Sequence, residues 1–105
     1  MMTRLPSTKL NTSPDNPSSF YCYIVQCADG SYYTGWSTNP QQREESHNRG
    51  QGARYTRARR PVALVYIEPQ PDRSTAMKRE AHIKTMTREK KQQLIDQDQG
   101  EREDA

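Results

Sequence analysis

Aliphatic bulk is what this sequence most lacks. Leu, Ile, Val and Phe together number only 12 in 105 residues, a level typical of chains that cannot bury enough apolar surface to fold. No apolar run approaches the roughly 18 residues of a membrane span. The N-terminus carries no apolar stretch of signal-peptide length either, so a soluble, cytoplasmic protein with no membrane partner is expected. Cysteine is scarce too. Cys22 and Cys27 lie five residues apart on one expected strand, which points them to opposite faces about 17 Å apart, whereas a disulfide needs Cα atoms within about 7 Å. Two thiols alone make no zinc site, so both are read as reduced. There is no internal repeat, and the length suits one small domain.

What apolar material exists is concentrated. Six of the eight aromatic residues fall between Phe20 and Trp36, which favours a folded centre over general disorder. Residues 1–19, rich in Ser, Thr, Pro and Asn, read as a disordered arm. Residues 20–95 read as the domain, and 96–105 as an acidic flexible tail. Two aromatic runs, Phe20 to Cys27 and Tyr32 to Ser37, flank Asp29-Gly30 and predict a β-hairpin. Asn39-Pro40 reads as an N-cap and first-turn proline of a helix that stops near Gly50. Val62 to Glu68 reads as a third strand closed by a Pro69-Gln70-Pro71 turn. A helix capped by Asp72 or Ser74 then runs to about Met86, and another, capped by Thr87, to about Asp96. The order is β-β-α-β-α-α, an α+β fold in which a small mixed or antiparallel three-stranded sheet is flanked by helices.

The formal net charge of +3 is unevenly spread. Residues 20–95 hold 13 basic and 7 acidic side chains, whereas residues 96–105 carry a net −4. The steepest run, Arg49 to Arg60, has five arginines and no acid. Such an excess can hold a polyanion by neutralising phosphates; the plainer alternative is a solvated loop.

Three constellations stand out. On the helix from Asp72, Glu80 falls between Ala76, Met77 and Ile83 on the apolar face, where a carboxylate is costly unless paired or bound to a metal. It is either a hard-cation ligand or a salt-bridge partner of Lys84 or of a nearby arginine. Arg43 and His47 are one helical turn apart, suited to phosphate contact and proton transfer, or else simply an exposed helix face. Tyr23 and Tyr33 sit on adjacent hairpin strands, either as a cross-strand aromatic pair or as base-stacking groups.

Taken together, these residues resemble the GIY-YIG nuclease family, most closely its small stand-alone bacterial members. Tyr21-Cys22-Tyr23 corresponds to the first signature and Tyr33-Thr34-Gly35 to the second. Arg43 and His47 match the Arg-x-x-x-His helix, and Glu80 matches the metal-binding glutamate. The resemblance spans about residues 20–95. The first signature lacks its glycine and isoleucine but keeps the tyrosine, and no asparagine follows Glu80, although many catalytic members carry one there.

The resemblance implies a DNA endonuclease that uses one Mg²⁺ or Mn²⁺ ion, with Tyr23, Tyr33, Arg43, His47 and Glu80 as catalytic residues. Glu80 would hold the metal, Tyr23 would act as general base, Arg43 would stabilise phosphoryl charge, and Tyr33 or His47 would hydrogen-bond Tyr23. Gly35 is read as a packing requirement. Arg54, Arg57, Arg59, Arg60 and Lys84 would track the nucleic-acid backbone. A structure-selective role in DNA repair or recombination is expected, with a monomer and a protein partner for targeting. The alternative is a nucleic-acid-binding module with weak or no catalysis; an RNA-binding protein that stacks bases on tyrosines is a third reading.

Overall fold

The computed structural model describes residues 19–104, with side chains through residue 98. The arm expected over residues 1–19 lies, but for Ser19, outside the described residues. Strands β1 (Phe20–Gln26), β2 (Tyr32–Ser37) and β3 (Ala63–Gln70) form one antiparallel sheet in the order β2-β1-β3. Helices α1 (Pro40–Asn48) and α2 (Arg54–Arg57) precede β3, and α3 (Arg73–Lys84) and α4 (Arg88–Asp104) follow it. The expected α+β architecture is present, with one addition: the basic connection contains the single-turn helix α2.

Local chemistry explains the elements. Gly30 takes φ +87° at the hairpin turn, a conformation glycine adopts without steric cost. Asp29 Oδ1 accepts hydrogen bonds from the Ser31 backbone N–H at 3.0 Å and hydroxyl at 2.6 Å, closing the turn. Asn39 caps α1 by accepting from the Gln42 N–H, with Pro40 in the first turn. Asp72 caps α3 through the Thr75 N–H at 2.7 Å.

β1 is central and buried on both faces. Cys22 and Ile24 point to one face, where Tyr66, Ala76, Ile83 and Ile95 close a core beneath α3 and α4. Tyr23, Val25 and Cys27 point to the other, with Val62, and α1 and α2 bring His47 and Thr56 into burial. The two cysteines therefore occupy opposite faces, and both are free.

Three expectations are corrected. β3 continues through Pro69 to Gln70, paired among the described residues only with β1; an edge strand tolerates proline because its missing N–H costs no ladder bond. Met77 is 48% exposed because the buried stripe of α3 is narrow, carrying Ala76 and Ile83. α4 runs to Asp104 rather than ending near Asp96.

The outer edge of β3 is held by α1. Glu44 accepts from the Leu64 N–H at 2.8 Å. The Asn48 amide donates to the Val62 carbonyl and accepts from the Val62 N–H. These bonds satisfy edge backbone groups and fix α1 against the sheet.

Candidate active site

Tyr23 lies at the middle of the central strand, paired across the ladder with Gly35. Its ring covers that glycine so closely that a Cβ there would stand 2.5 Å from the Tyr23 hydroxyl oxygen and 2.6 Å from Cζ. The ring is buried, and its hydroxyl is 3.0 Å from His47 Nε2.

His47 is fully buried, so the exposed-face alternative does not describe it. Its Nδ1 is 2.8 Å from Thr56 Oγ1, and that hydroxyl is 3.0 Å from the Ala53 carbonyl. A carbonyl can only accept, so the single Thr56 proton goes to Ala53 and His47 Nδ1–H must donate to Thr56. In the neutral ring Nε2 is then bare and accepts the Tyr23 hydroxyl proton. Thr56 thus sets the tautomer of His47, and His47 orients Tyr23. Gly52 packs against the far side of the ring, where a Cβ would collide with His47 Nδ1.

Burial lowers the pKa of His47 below its ordinary 6.5, and the Arg43 charge adds to the effect. The unfolded chain takes up this proton at higher pH than the folded one. The stability contribution is therefore present above about pH 6.5 and is lost as the pH falls through the lowered value. Urea denaturation is expected to show the parent losing stability between pH 7 and pH 5 more steeply than His47→Gln. Equal slopes would contradict the buried neutral imidazole.

Arg43, one turn before His47, is exposed and stands beside Tyr23. Burial pushes the Tyr23 pKa up, and Arg43 offsets part of that rise through a hydrogen bond and its charge. Without a bound metal, then, the phenol is harder to ionise than a free tyrosine. The Tyr33 and His47 rings meet edge to face at 5.5 Å between centroids, and of these two side chains it is His47, through Nε2, that accepts from the Tyr23 hydroxyl.

Glu80, from α3, acts electrostatically on both Tyr23 and Cys22. Its side chain is 20% exposed and pairs with Lys84 at 3.5 Å. Among the described residues no three His, Cys, Asp or Glu side chains gather as a metal cage. A lone carboxylate still fits Mg²⁺, which commonly takes one or two carboxylates and completes its shell with phosphate and water. Lys84 is the competitor such an ion would have to displace.

The basic run divides. Arg54 and Arg57 are exposed on α2. Arg59 pairs with Asp29 at 3.2 Å and donates to the Tyr55 carbonyl. Arg60 donates to the carbonyls of Arg57 and Asn48 and packs over Gly50. The last two therefore brace the connection that carries Thr56. Thr56 and Gly52 are the site residues that sequence reading missed; their only signal was position, within a Gly-containing basic segment following the His47 helix.

Among the described residues no helix is long and apolar enough to cross a membrane. Residues 19–93 match the GIY-YIG catalytic domain family. A UPF0213 protein from Staphylococcus aureus is 57% identical over 77 residues, covering 73% of this chain and 94% of that protein. The solution NMR structure of a protein from E. faecalis is 42% identical with a TM-score of 0.54, covering 78% of this chain and 88% of that one. The solution NMR structure of a UPF0213 protein from Bacillus halodurans is also 42% identical, with a TM-score of 0.48 and coverage of 74% and 83%. By the extent of that domain match and the identity of its small bacterial relatives, the chain belongs to the GIY-YIG nuclease family.

Proposed function

We propose that this chain is a divalent-metal-dependent endonuclease that hydrolyses phosphodiester bonds in DNA. The observation that carries the reading is that His47 from α1 is hydrogen-bonded to Tyr23, that Arg43 one turn away stands beside it, and that the charge of Glu80 on α3 is felt there.

In this reading Tyr23 removes a proton from the attacking water while passing its own hydroxyl proton to His47 Nε2. No free tyrosinate need form, which matters because burial disfavours one. The new bond joins the water oxygen to phosphorus. The ester P–O bond breaks, and the departing oxygen leaves with the electron pair and takes a solvent proton. Arg43 stabilises the charge growing on the non-bridging oxygens. Glu80 holds Mg²⁺ or Mn²⁺, whose chemistry when bound is to polarise the phosphate and favour departure of the leaving oxygen. Arg54 and Arg57, with Lys84 once released from Glu80, neutralise flanking phosphates, which positions DNA without reading its sequence. A structure-selective role in repair or recombination, exercised by a cytoplasmic monomer, accords with a small domain of this kind.

A nucleic-acid-binding module of little catalytic power is the second reading. It is favoured by the Glu80–Lys84 pair, which occupies the carboxylate, and by the raised Tyr23 pKa. The two separate in one experiment: cleavage of labelled single-stranded, duplex, flap and four-way-junction DNA with Mg²⁺, Mn²⁺ or EDTA. The nuclease reading expects products with metal and none with EDTA. Binding without products on every substrate would replace it with the binding module.

A further inference from the structure

Beside the Tyr23 site runs a ladder of rings and cations. Lys84 Nζ stands 5.9 Å from the Tyr33 ring centroid. The Tyr33 and Tyr55 rings stack with centroids 6.0 Å apart and planes 21° from parallel. The Arg59 guanidinium lies 3.9 Å from the Tyr55 centroid. Arg59 is fixed there from two sides, by the Asp29 carboxylate at 3.2 Å and the Tyr55 carbonyl at 2.9 Å.

The hydrophobic cores do not account for Tyr55. It is 37% exposed and belongs to neither core cluster. What covers it is the Tyr33 ring and the Arg59 guanidinium, not the apolar side chains of either core. Its neighbours are instead those of a stacking platform. One ring backs it, a planar cation covers it, and arginines that can take phosphate stand before and after it at Arg54 and Arg57. Tyr33 ties the platform to the site, since the same ring that backs Tyr55 touches His47.

We infer that Tyr55 and Arg59 form a stacking site for an unpaired nucleobase, so that the nucleic acid taken is single-stranded at or beside the scissile phosphate. The inference rests on the nuclease reading only in placing the base beside a scissile phosphate; the stacking site stands or falls by itself. The base adds to the ladder on the face of the Arg59 guanidinium turned away from Tyr55, a side chain that is 37% exposed, becoming the next rung after Tyr33, Tyr55 and Arg59. Bases stack on arginine planes as they do on aromatic rings. Within a duplex both faces of a base are covered by its neighbours, so the platform can hold only a base that has left the stack. Its energy is indifferent to base identity, because every base has a flat face.

The test is equilibrium binding in EDTA, where no cleavage is needed, by fluorescence anisotropy. The probes are a labelled twelve-nucleotide single strand, an abasic strand of the same length and charge, and the corresponding duplex. The parent is expected to bind the normal strand about tenfold more tightly than the abasic one. Tyr55→Ala should lose that advantage while binding the duplex as the parent does, and Tyr55→Phe, which keeps the ring, should retain it. Arg59→Lys keeps the charge but not the plane, and should behave as Tyr55→Ala does. Equal binding of the normal strand by the parent and Tyr55→Ala would overturn the inference, as would an equal loss on all three probes. If base-dependent binding were found with no cleavage of any DNA under metal, the stacking site would stand and the nuclease reading would fall.

Discussion

Glu80→Ala should reduce metal-dependent cleavage by about 10³-fold, since a bound metal supplies several kcal/mol of transition-state stabilisation and each 1.36 kcal/mol is tenfold in rate. The fold should persist. The carboxylate is part-exposed and its partner Lys84 is half exposed, and pairs of that kind contribute between about 0 and 1 kcal/mol. Affinity for DNA should hold or rise slightly, because a negative charge is removed and Lys84 is freed for phosphate. Tyr23→Phe supplies the contrasting case. It too should lower cleavage, by roughly 10²- to 10⁴-fold as for other general bases. It also leaves His47 Nε2 buried without a donor, at about 1–3 kcal/mol, so it should melt earlier than Glu80→Ala. Cleavage rates, DNA affinity and thermal melting of both variants check this. Undiminished cleavage by Glu80→Ala would remove the basis of the mechanism.

Gly35→Ala should be among the most destabilising single substitutions in the domain. Its methyl would enter at 2.5 Å from the Tyr23 hydroxyl oxygen, and Tyr23 has little freedom to yield. The ring is buried on the central strand and tied to His47, which is itself wedged between Thr56 and Gly52. Overpacking of this kind costs about 1–3 kcal/mol, which in a domain of this size lowers the melting temperature by roughly 5–20 °C. A double-mutant cycle identifies the cause. In a Tyr23→Ala background the methyl gains room, so most of the penalty of Gly35→Ala should vanish. Simple additivity of the two changes would show that Gly35 is required for some reason other than this ring.

Residues 20–48 were read closely from the chain alone, because what shapes them is local. An Asp-Gly turn between two aromatic runs, an asparagine cap and a first-turn proline each act within a few residues. The same locality placed Cys22, in β1, and Cys27, just past its end, on opposite sides of the sheet, since side chains alternate along an extended chain. It also set Arg43 and His47 on one side of α1. Periodicity could not say what would cover that side. An exposed helix face and a buried imidazole have the same spacing, and it is the return of the chain through Gly52 and Thr56 that buries His47 and chooses its tautomer.

The remaining differences have the same origin. By angle Met77 falls with Ala76 and Ile83, but only the sheet beneath α3 defines how wide the buried stripe is. Pro69 looked like a turn residue, yet it continues β3 because that strand is an edge. The five arginines from Arg49 to Arg60 are equivalent by sequence, whereas in the fold Arg59 and Arg60 are bonded to the chain's own carbonyls. Sequence by itself determined the elements, their order and the chemistry carried on each. Tertiary structure decided which of those groups meet at Tyr23 and which side chains are occupied in holding the chain, because burial and long-range hydrogen bonding depend on segments far apart along it.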